Sequence, residues 1–354
     1  MITNGNKILS FSIAAYNVEN TISETLQSIV SMNYVDLVEV IVTNDGSQDG
    51  TQDLIEKFEK RYPGIIKIVN KSNGGHGSTI NSGIENATGK YFKVLDGDDW
   101  VETKRMDEYV QTLQNTEADV VLTDYVLCFS DGRKINGSSH VLPDVEVHDV
   151  NDLINSRSLS MHEITVKTDI LKENHVKIKE KCFYVDRQFL HEVILNSETI
   201  IELKYPIYNY RIGAIGQSVS PHNRVHRIGD QVEVLHELLK LRENKISQLS
   251  DEKNKFSYND ISGMIMYIIT SYSYSDLKKH KEIKKQLIKF MENLNQSYTS
   301  FETNPHIIAF GTAPNLSLKS RILFRYQEMM LKHNFFGFLP FSILKHYQAR
   351  KEGW

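Results

Sequence analysis

Tyr91-Phe92-Lys93-Val94-Leu95-Asp96-Gly97-Asp98-Asp99-Trp100 decides how this chain folds. Its first five residues are aromatic or branched and read as a strand. The run then ends in three carboxylates around Gly97, where a glycine lets the backbone turn sharply and a ligand approach closely. Carboxylates at the carboxyl end of a strand are hard oxygen donors suited to Mg²⁺ or Mn²⁺. Open α/β sheets bind their ligands beyond the carboxyl ends of strands. An acidic surface turn is the plainer account of any Asp-Gly cluster. What flanks this one argues for a site.

Upstream, Ile8 to Ala15 reads as a buried strand broken by Tyr16-Asn17. Asn20 or Thr21 is placed to cap a helix with Ile22, Leu26 and Ile29 inward. Val38 to Thr43 is a second strand and runs into Asn44-Asp45-Gly46-Ser47-Gln48-Asp49-Gly50-Thr51. A helix with Leu54, Ile55 and Phe58 inward follows, then a strand over Ile65 to Val69. Asn73-Gly74-Gly75-His76-Gly77 opens the next helix. Strands alternating with helices predict a parallel sheet with right-handed crossovers. Asp45, Ser47, Asp49, Gly50 and Glu56 share the spacing of an EF-hand loop, but a β-rich run precedes them where that motif needs a helix. Gly75-His76-Gly77 lacks the third glycine of a dinucleotide fingerprint, since Ile80 stands there, which disfavours a dehydrogenase.

Together, Ala15-Tyr16-Asn17, Asn44-Asp45-Gly46-Ser47, Asp49-Gly50-Thr51, Asn73-Gly74-Gly75, Asn81-Ser82-Gly83-Ile84, Ala87-Thr88-Gly89 and Asp96-Gly97-Asp98-Asp99 resemble the family 2 glycosyltransferases of the GT-A fold, of the bacterial cell-surface polysaccharide type. The resemblance is strong over residues 7–105 and weaker to about 220. It implies an α/β, Rossmann-like nucleotide-sugar domain with a mostly parallel sheet. It implies Asp98 as metal ligand, with Asp96 on the metal or the ribose. Asp45 would accept from the uracil imide and Tyr16 would pack on the base. Ala15, Asn17, Asn73, Gly74 and Gly97 complete the nucleotide-sugar set. The implied cofactor is Mn²⁺ or Mg²⁺, since a departing diphosphate needs its charge offset.

Further on, Val120 to Phe129 reads as a strand and Asp131-Gly132-Arg133 as a hairpin turn. Tyr184-Val185-Asp186-Arg187-Gln188-Phe189 resembles the Glu-Asp-x-x-Phe segment of many family 2 enzymes, with Val185 in place of the acid. By similarity Asp186 is the catalytic base. Its alternative is a carboxylate at a helix start. Tyr210-Arg211 with Gln217-Ser218-Val219-Ser220 resembles a further family segment, so Arg211 and Gln217 are candidates for phosphate or acceptor. His162, just before the strand-like Ile164 to Val166, is a third. A structural ion pair for Arg211 and a packed histidine are the plainer alternatives.

The 354 residues suffice for a catalytic domain over 1–220 (donor half 7–105, acceptor half 106–220) and a helical domain over 221–354. Val232, Leu235, Leu238 and Leu239, then Ile261 to Tyr274, then Ile283, Leu287 and Phe290 recur at helical spacing. In the tail, Lys319, Arg321, Arg325, Lys332, Lys345, Arg350 and Lys351 surround an apolar cluster at Phe335, Phe336, Phe338, Leu339 and Phe341. That pattern suits a membrane surface, and a core or an oligomer contact suits the same apolar residues. A net charge of −4 argues against nucleic-acid binding. Cys128 and Cys182 alone point to a reducing compartment, and Met1 to Lys7 lacks the pattern of a signal peptide. The expectation is a cytoplasmic, inverting glycosyltransferase, peripheral at the inner membrane face where the tail serves as a membrane contact. It would move a hexose or N-acetylhexosamine from a UDP-sugar to a surface glycan, teichoic acid or lipid-linked acceptor. The alternative is a non-catalytic sugar-nucleotide or glycan-binding module on the same fold.

Overall fold

The computed structural model describes residues 7–143, 145–213 and 221–273. Gln217, the predicted helix at Ile283 to Phe290 and the basic, aromatic tail lie outside them.

The donor half folds as alternating strands and helices: β1 (Leu9–Ala15), α1 (Ile22–Val30), β2 (Val38–Asn44), α2 (Thr51–Arg61), β3 (Ile66–Asn70), α3 (His76–Asn86) and β4 (Tyr91–Asp96). All four strands pair in parallel, in the order β3-β2-β1-β4. The register puts Ala15 beside Asn44 and Ala14 beside Asp96, so the predicted ligand-bearing turns leave the sheet at one edge. Leu9, Phe11, Ile13, Val40, Val42, Phe92 and Val94 are buried, as expected for strands covered on both faces.

The acceptor half adds β5 (Trp100–Val101), α4 (Thr103–Asn115), β6 (Val120–Phe129), β7 (Lys134–Asn136), β8 (His148–Asp149), β9 (Ile164–Lys167), α5 (Thr168–Glu173), α6 (Asp186–Asn196) and β10 (Thr199–Ile212). It extends the sheet as β4-β9-β6-β10-β5, with β9 antiparallel to β4 and to β6 and β10 parallel to β6. The turn at Asp131 to Arg133 does close an antiparallel pair, β6 with β7. β10 shifts register around Pro206, which has no N–H for the ladder. Beyond the shift, Tyr208, Tyr210 and Ile212 alternate with Asn209 and Arg211.

Three helices follow: α7 (Pro221–His226), α8 (Ile228–Lys245) and α9 (Asp251–Ser273). On α8 the buried apolar residues are Val234, Leu235, Leu238 and Leu239, while Val232 is only half-buried. The described residues fall into two compact units: those within Met1–Ile215 and His236–Tyr258, and those within Gly216–Leu235 and Asn259–Trp354. In the first, buried His191 meets Ser257 at 3.1 Å. In the second, the Arg224 guanidinium lies 4.1 Å from the Tyr267 ring centroid. Among the described residues no helix is long and apolar enough to cross a membrane.

Candidate active site

The acidic turn after β4 is clamped from three sides. Gly97 N donates to Ala14 O at 3.0 Å, and a Cβ at Gly97 would lie 2.5 Å from that oxygen, so only glycine fits. Thr21 and Thr25 donate to Gly97 O at 3.0 and 3.1 Å, and Thr25 reaches Asp99 O at 2.6 Å. Thr21, predicted as a side-chain cap, makes no cap bond at the start of α1; its hydroxyl holds this turn instead. On the far side, fully buried Asp99 accepts from Arg211 N and from the Tyr208 hydroxyl, both at 2.7 Å. The Arg211 guanidinium donates to Asp98 O at 2.8 Å, pairs with Glu24 at 2.6 Å and stacks over Trp100.

Crowding sets the charge states here. Burial, reinforced by Asp98 and Asp96, pushes the Asp99 carboxyl well above the usual range. Burial and Asp96 push Asp98 up to about 6, with Arg211 and His76 pulling the other way. Burial also opposes charge on Asp96, but His76, His162 and Tyr208 outweigh it and hold that carboxyl low. His76 Nε2 sits 3.2 Å from Asp96 Oδ1, at ion-pair distance but off the hydrogen-bond line. Burial disfavours charge on His76 too, yet Asp96, Asp186 and Asp98 raise its pKa overall.

Since Asp98 keeps its proton more tightly folded than unfolded, its ionisation destabilises the fold. That penalty is absent below about pH 4, grows through the interval and is complete above about pH 6. Asp98→Asn should therefore stabilise the metal-free protein above pH 6, by on the order of 1 kcal/mol once solvent access is allowed for, and not below pH 4. Thermal melts in EDTA across that range read the difference.

His162 reaches the same place from the turn ahead of β9. Its ring lies between Tyr125 and Tyr210, with centroids at 5.4 and 4.4 Å, and meets Tyr208 edge-on at 4.7 Å. Asp96, Asp99 and His162 each offer one donor atom within 4.8 Å of the others. Two carboxylate oxygens and an imidazole nitrogen suit a divalent first-row cation, so the residues present fit the implied metal. Asp99 and His162 were not foreseen as donors. Asp99 continues the acidic motif, but no local pattern marks His162, which only the sheet order brings to Asp96.

Asp45 follows β2 and is almost fully buried. Its carboxylate accepts from Gly74 N and Gly75 N at 2.8 Å each, from Lys71 Nζ at 2.9 Å and from Ser78 at 3.3 Å. It thus shapes the Asn73-Gly74-Gly75 loop. Ala15 O accepts from Asp45 N, and Asn17, at φ +52°, accepts from Gln48 N at 2.8 Å. Tyr16 is 49% exposed, open for a planar ligand to pack on. Asn73 is also exposed.

Asp186 begins α6 and is held by a strap, residues 174–185. Asn81 grips the strap at one residue: its Nδ2 donates to Ile178 O and its Oδ1 accepts from Ile178 N, both at 2.8 Å. Lys181 N donates to Gly74 O at 2.6 Å, and Gln188 accepts from Lys179 N at 2.9 Å. Lys181 and Tyr184 adopt positive φ of 54° and 65°, a strained conformation for such side chains and one that gathers at functional sites. Phe189 anchors the helix against Phe92 of β4, centroids 6.2 Å apart. Asp186 itself is exposed, yet desolvation by the protein around it raises its pKa, with Arg187 and His76 opposing. A Cβ at Gly77 would collide with Lys179 O. Gly77→Ala should therefore displace the strap and lower stability by about 1–3 kcal/mol, read as a shifted denaturant midpoint.

A parallel half-sheet ends in Asp45 and the Asp96–Asp99 turn, with Asp186 strapped beside them, the arrangement of a GT-A fold. Residues 10–179 match the model of the family described as Glycosyl transferase family 2. It is 28% identical over 213 residues to EpsH of Bacillus subtilis (strain 168), named as a glycosyltransferase, covering 58% of this chain and 60% of EpsH. It is 26% identical over 221 residues to the minor teichoic acid biosynthesis protein GgaB of the same organism, covering 60% of this chain and 24% of GgaB. The chain thus spans less than two thirds of either relative. S. aureus TarS 1–349, solved in complex with UDP-GlcNAc, shares the fold at a TM-score of 0.58 and 18% identity, covering 80% of this chain and 81% of TarS.

Proposed function

We propose that this chain transfers a hexosyl or N-acetylhexosaminyl group from a nucleotide sugar, UDP-linked, to a hydroxyl of a cell-surface glycan, teichoic acid or lipid-linked acceptor. The observation that carries the reading is that His76, 3.2 Å from Asp96, lies within electrostatic reach of Asp98 and of Asp186 on its strap. The neighbour TarS binds UDP-GlcNAc and the relative GgaB serves teichoic acid synthesis, which supports the donor and acceptor classes.

Asp186 takes the proton of the acceptor hydroxyl as its oxygen bonds to the anomeric carbon. The bond from that carbon to the phosphate oxygen breaks on the opposite face, and UDP leaves with the electron pair. A divalent cation held by Asp96, Asp99 and His162, with Asp98 as the further ligand the family resemblance implies, would neutralise the charge growing on that diphosphate. Asp45 shapes the Asn73–Gly75 loop for the nucleotide, and Tyr16 offers its ring to the base. The basic residues of the tail, set around Phe335, Phe336, Phe338, Leu339 and Phe341, would suit an anionic membrane surface. Single displacement inverts the anomeric centre, so an α-linked donor should give a β-linked product. Proton NMR of the product's anomeric coupling tests this; retention of configuration would sink the single-displacement scheme.

A further inference from the structure

We infer that Ser160 is a positioning residue for His162: its hydroxyl holds the Nδ1 proton and so turns Nε2 toward a divalent cation at Asp96. This rests on the metal reading proposed above. Ser160 Oγ lies 2.6 Å from His162 Nδ1. A metal-bound imidazole donates its second ring N–H to a fixed acceptor, which selects the tautomer and the ring orientation. Ser160 can serve because a hydroxyl oxygen accepts one proton while its own O–H remains free to donate elsewhere.

The surroundings leave this pair little room to move. Ser160 N donates to Glu163 Oε2 at 2.8 Å, and the other Glu163 oxygen takes Arg157 at 2.7 Å. The second arm of Arg157 reaches Glu202 at 2.9 Å, and Glu202 in turn accepts from Val141 N and Leu142 N at 3.0 Å each. Buried Lys93 donates to the carbonyls of His162 and Ile164 at 2.9 and 3.2 Å. Tyr125 and Tyr210 hold the faces of the imidazole. Stacking fixes the plane of the ring but leaves open which nitrogen carries the proton; the Ser160 hydroxyl decides that. Without the hydroxyl, the Nε2–H tautomer would direct a proton where the cation must bind.

The test is Mn²⁺ titration of the full chain, followed by the EPR signal of the free ion. Ser160→Ala should weaken Mn²⁺ about tenfold, the low end for a group behind a metal ligand. Ser160→Thr keeps a hydroxyl and should bind like wild type. In a His162→Ala background, Ser160→Ala should add no further loss, since the two act through one interaction. Wild-type affinity in Ser160→Ala, or an undiminished loss in the His162→Ala background, overturns the inference alone. If His162→Ala binds Mn²⁺ as wild type does while Asp96→Ala does not, the metal reading stands and the Ser160 role falls. If wild type binds no Mn²⁺, both fall.

Discussion

Asp186→Asn should lower kcat by roughly 10²–10⁴-fold and leave nucleotide-sugar affinity unchanged, because the substitution keeps size and removes basicity. The geometry makes the change clean. Asp186 is exposed at the first residue of α6, and none of the strap's hydrogen bonds described above uses its side chain. Losing the charge at a helix N-terminus costs only about 0.3–1 kcal/mol. Its carboxyl is raised above the ordinary range by the protein around it, which brings it nearer the pKa a base needs at neutral pH. Steady-state kinetics with the donor varied at saturating acceptor separate the effects. If donor affinity collapses while turnover per bound substrate persists, Asp186 belongs to the donor site or to the fold.

Asp96→Ala should abolish transfer and weaken Mn²⁺ by more than the roughly 10–100-fold expected for a residue behind the ligands. Asp96 is the point where the site converges. Its carboxyl is held low by His76, His162 and Tyr208 against burial, so it stays an anionic donor. Burial and crowding push Asp98 and Asp99 the other way. EDTA should do to wild type what Asp96→Ala does. Turnover undiminished in the Asp96→Ala protein would leave the acidic turn as structure alone.

Much of this site was legible because its parts sit where strands stop. Asn17 after β1, and glycine and Asp after β2 and β4, mark turns by local chemistry, and the parallel register brings those turns to one edge. Phe189, three residues after Asp186, was readable in the motif, and its packing on Phe92 explains the spacing. His162 was legible only as a candidate. Its neighbours Tyr125, Tyr208 and Tyr210 come from β6 and β10, and local periodicity carries no information about which distant strands become adjacent. Arg211 reads in the sequence as a binding residue or a structural ion pair; the structure shows the pair, with Glu24, and the amide and guanidinium holding the acidic turn. Asp45, read as a base contact, has a carboxylate surrounded by four protein donors; a turn formed by residues 29 and 30 positions away has no signature at Asp45 itself. The strap over α3 escaped notice because Asn81 and Gly77 act through backbone contacts nearly a hundred residues on.

The most direct measurement is release of nucleoside diphosphate from a panel of UDP- and GDP-sugars, each with Mn²⁺ and with EDTA. The account predicts release from at least one UDP-sugar in Mn²⁺ and none in EDTA. Equal release in EDTA, or no release from any donor in the presence of acceptor and Mn²⁺, would contradict a metal-dependent glycosyltransferase.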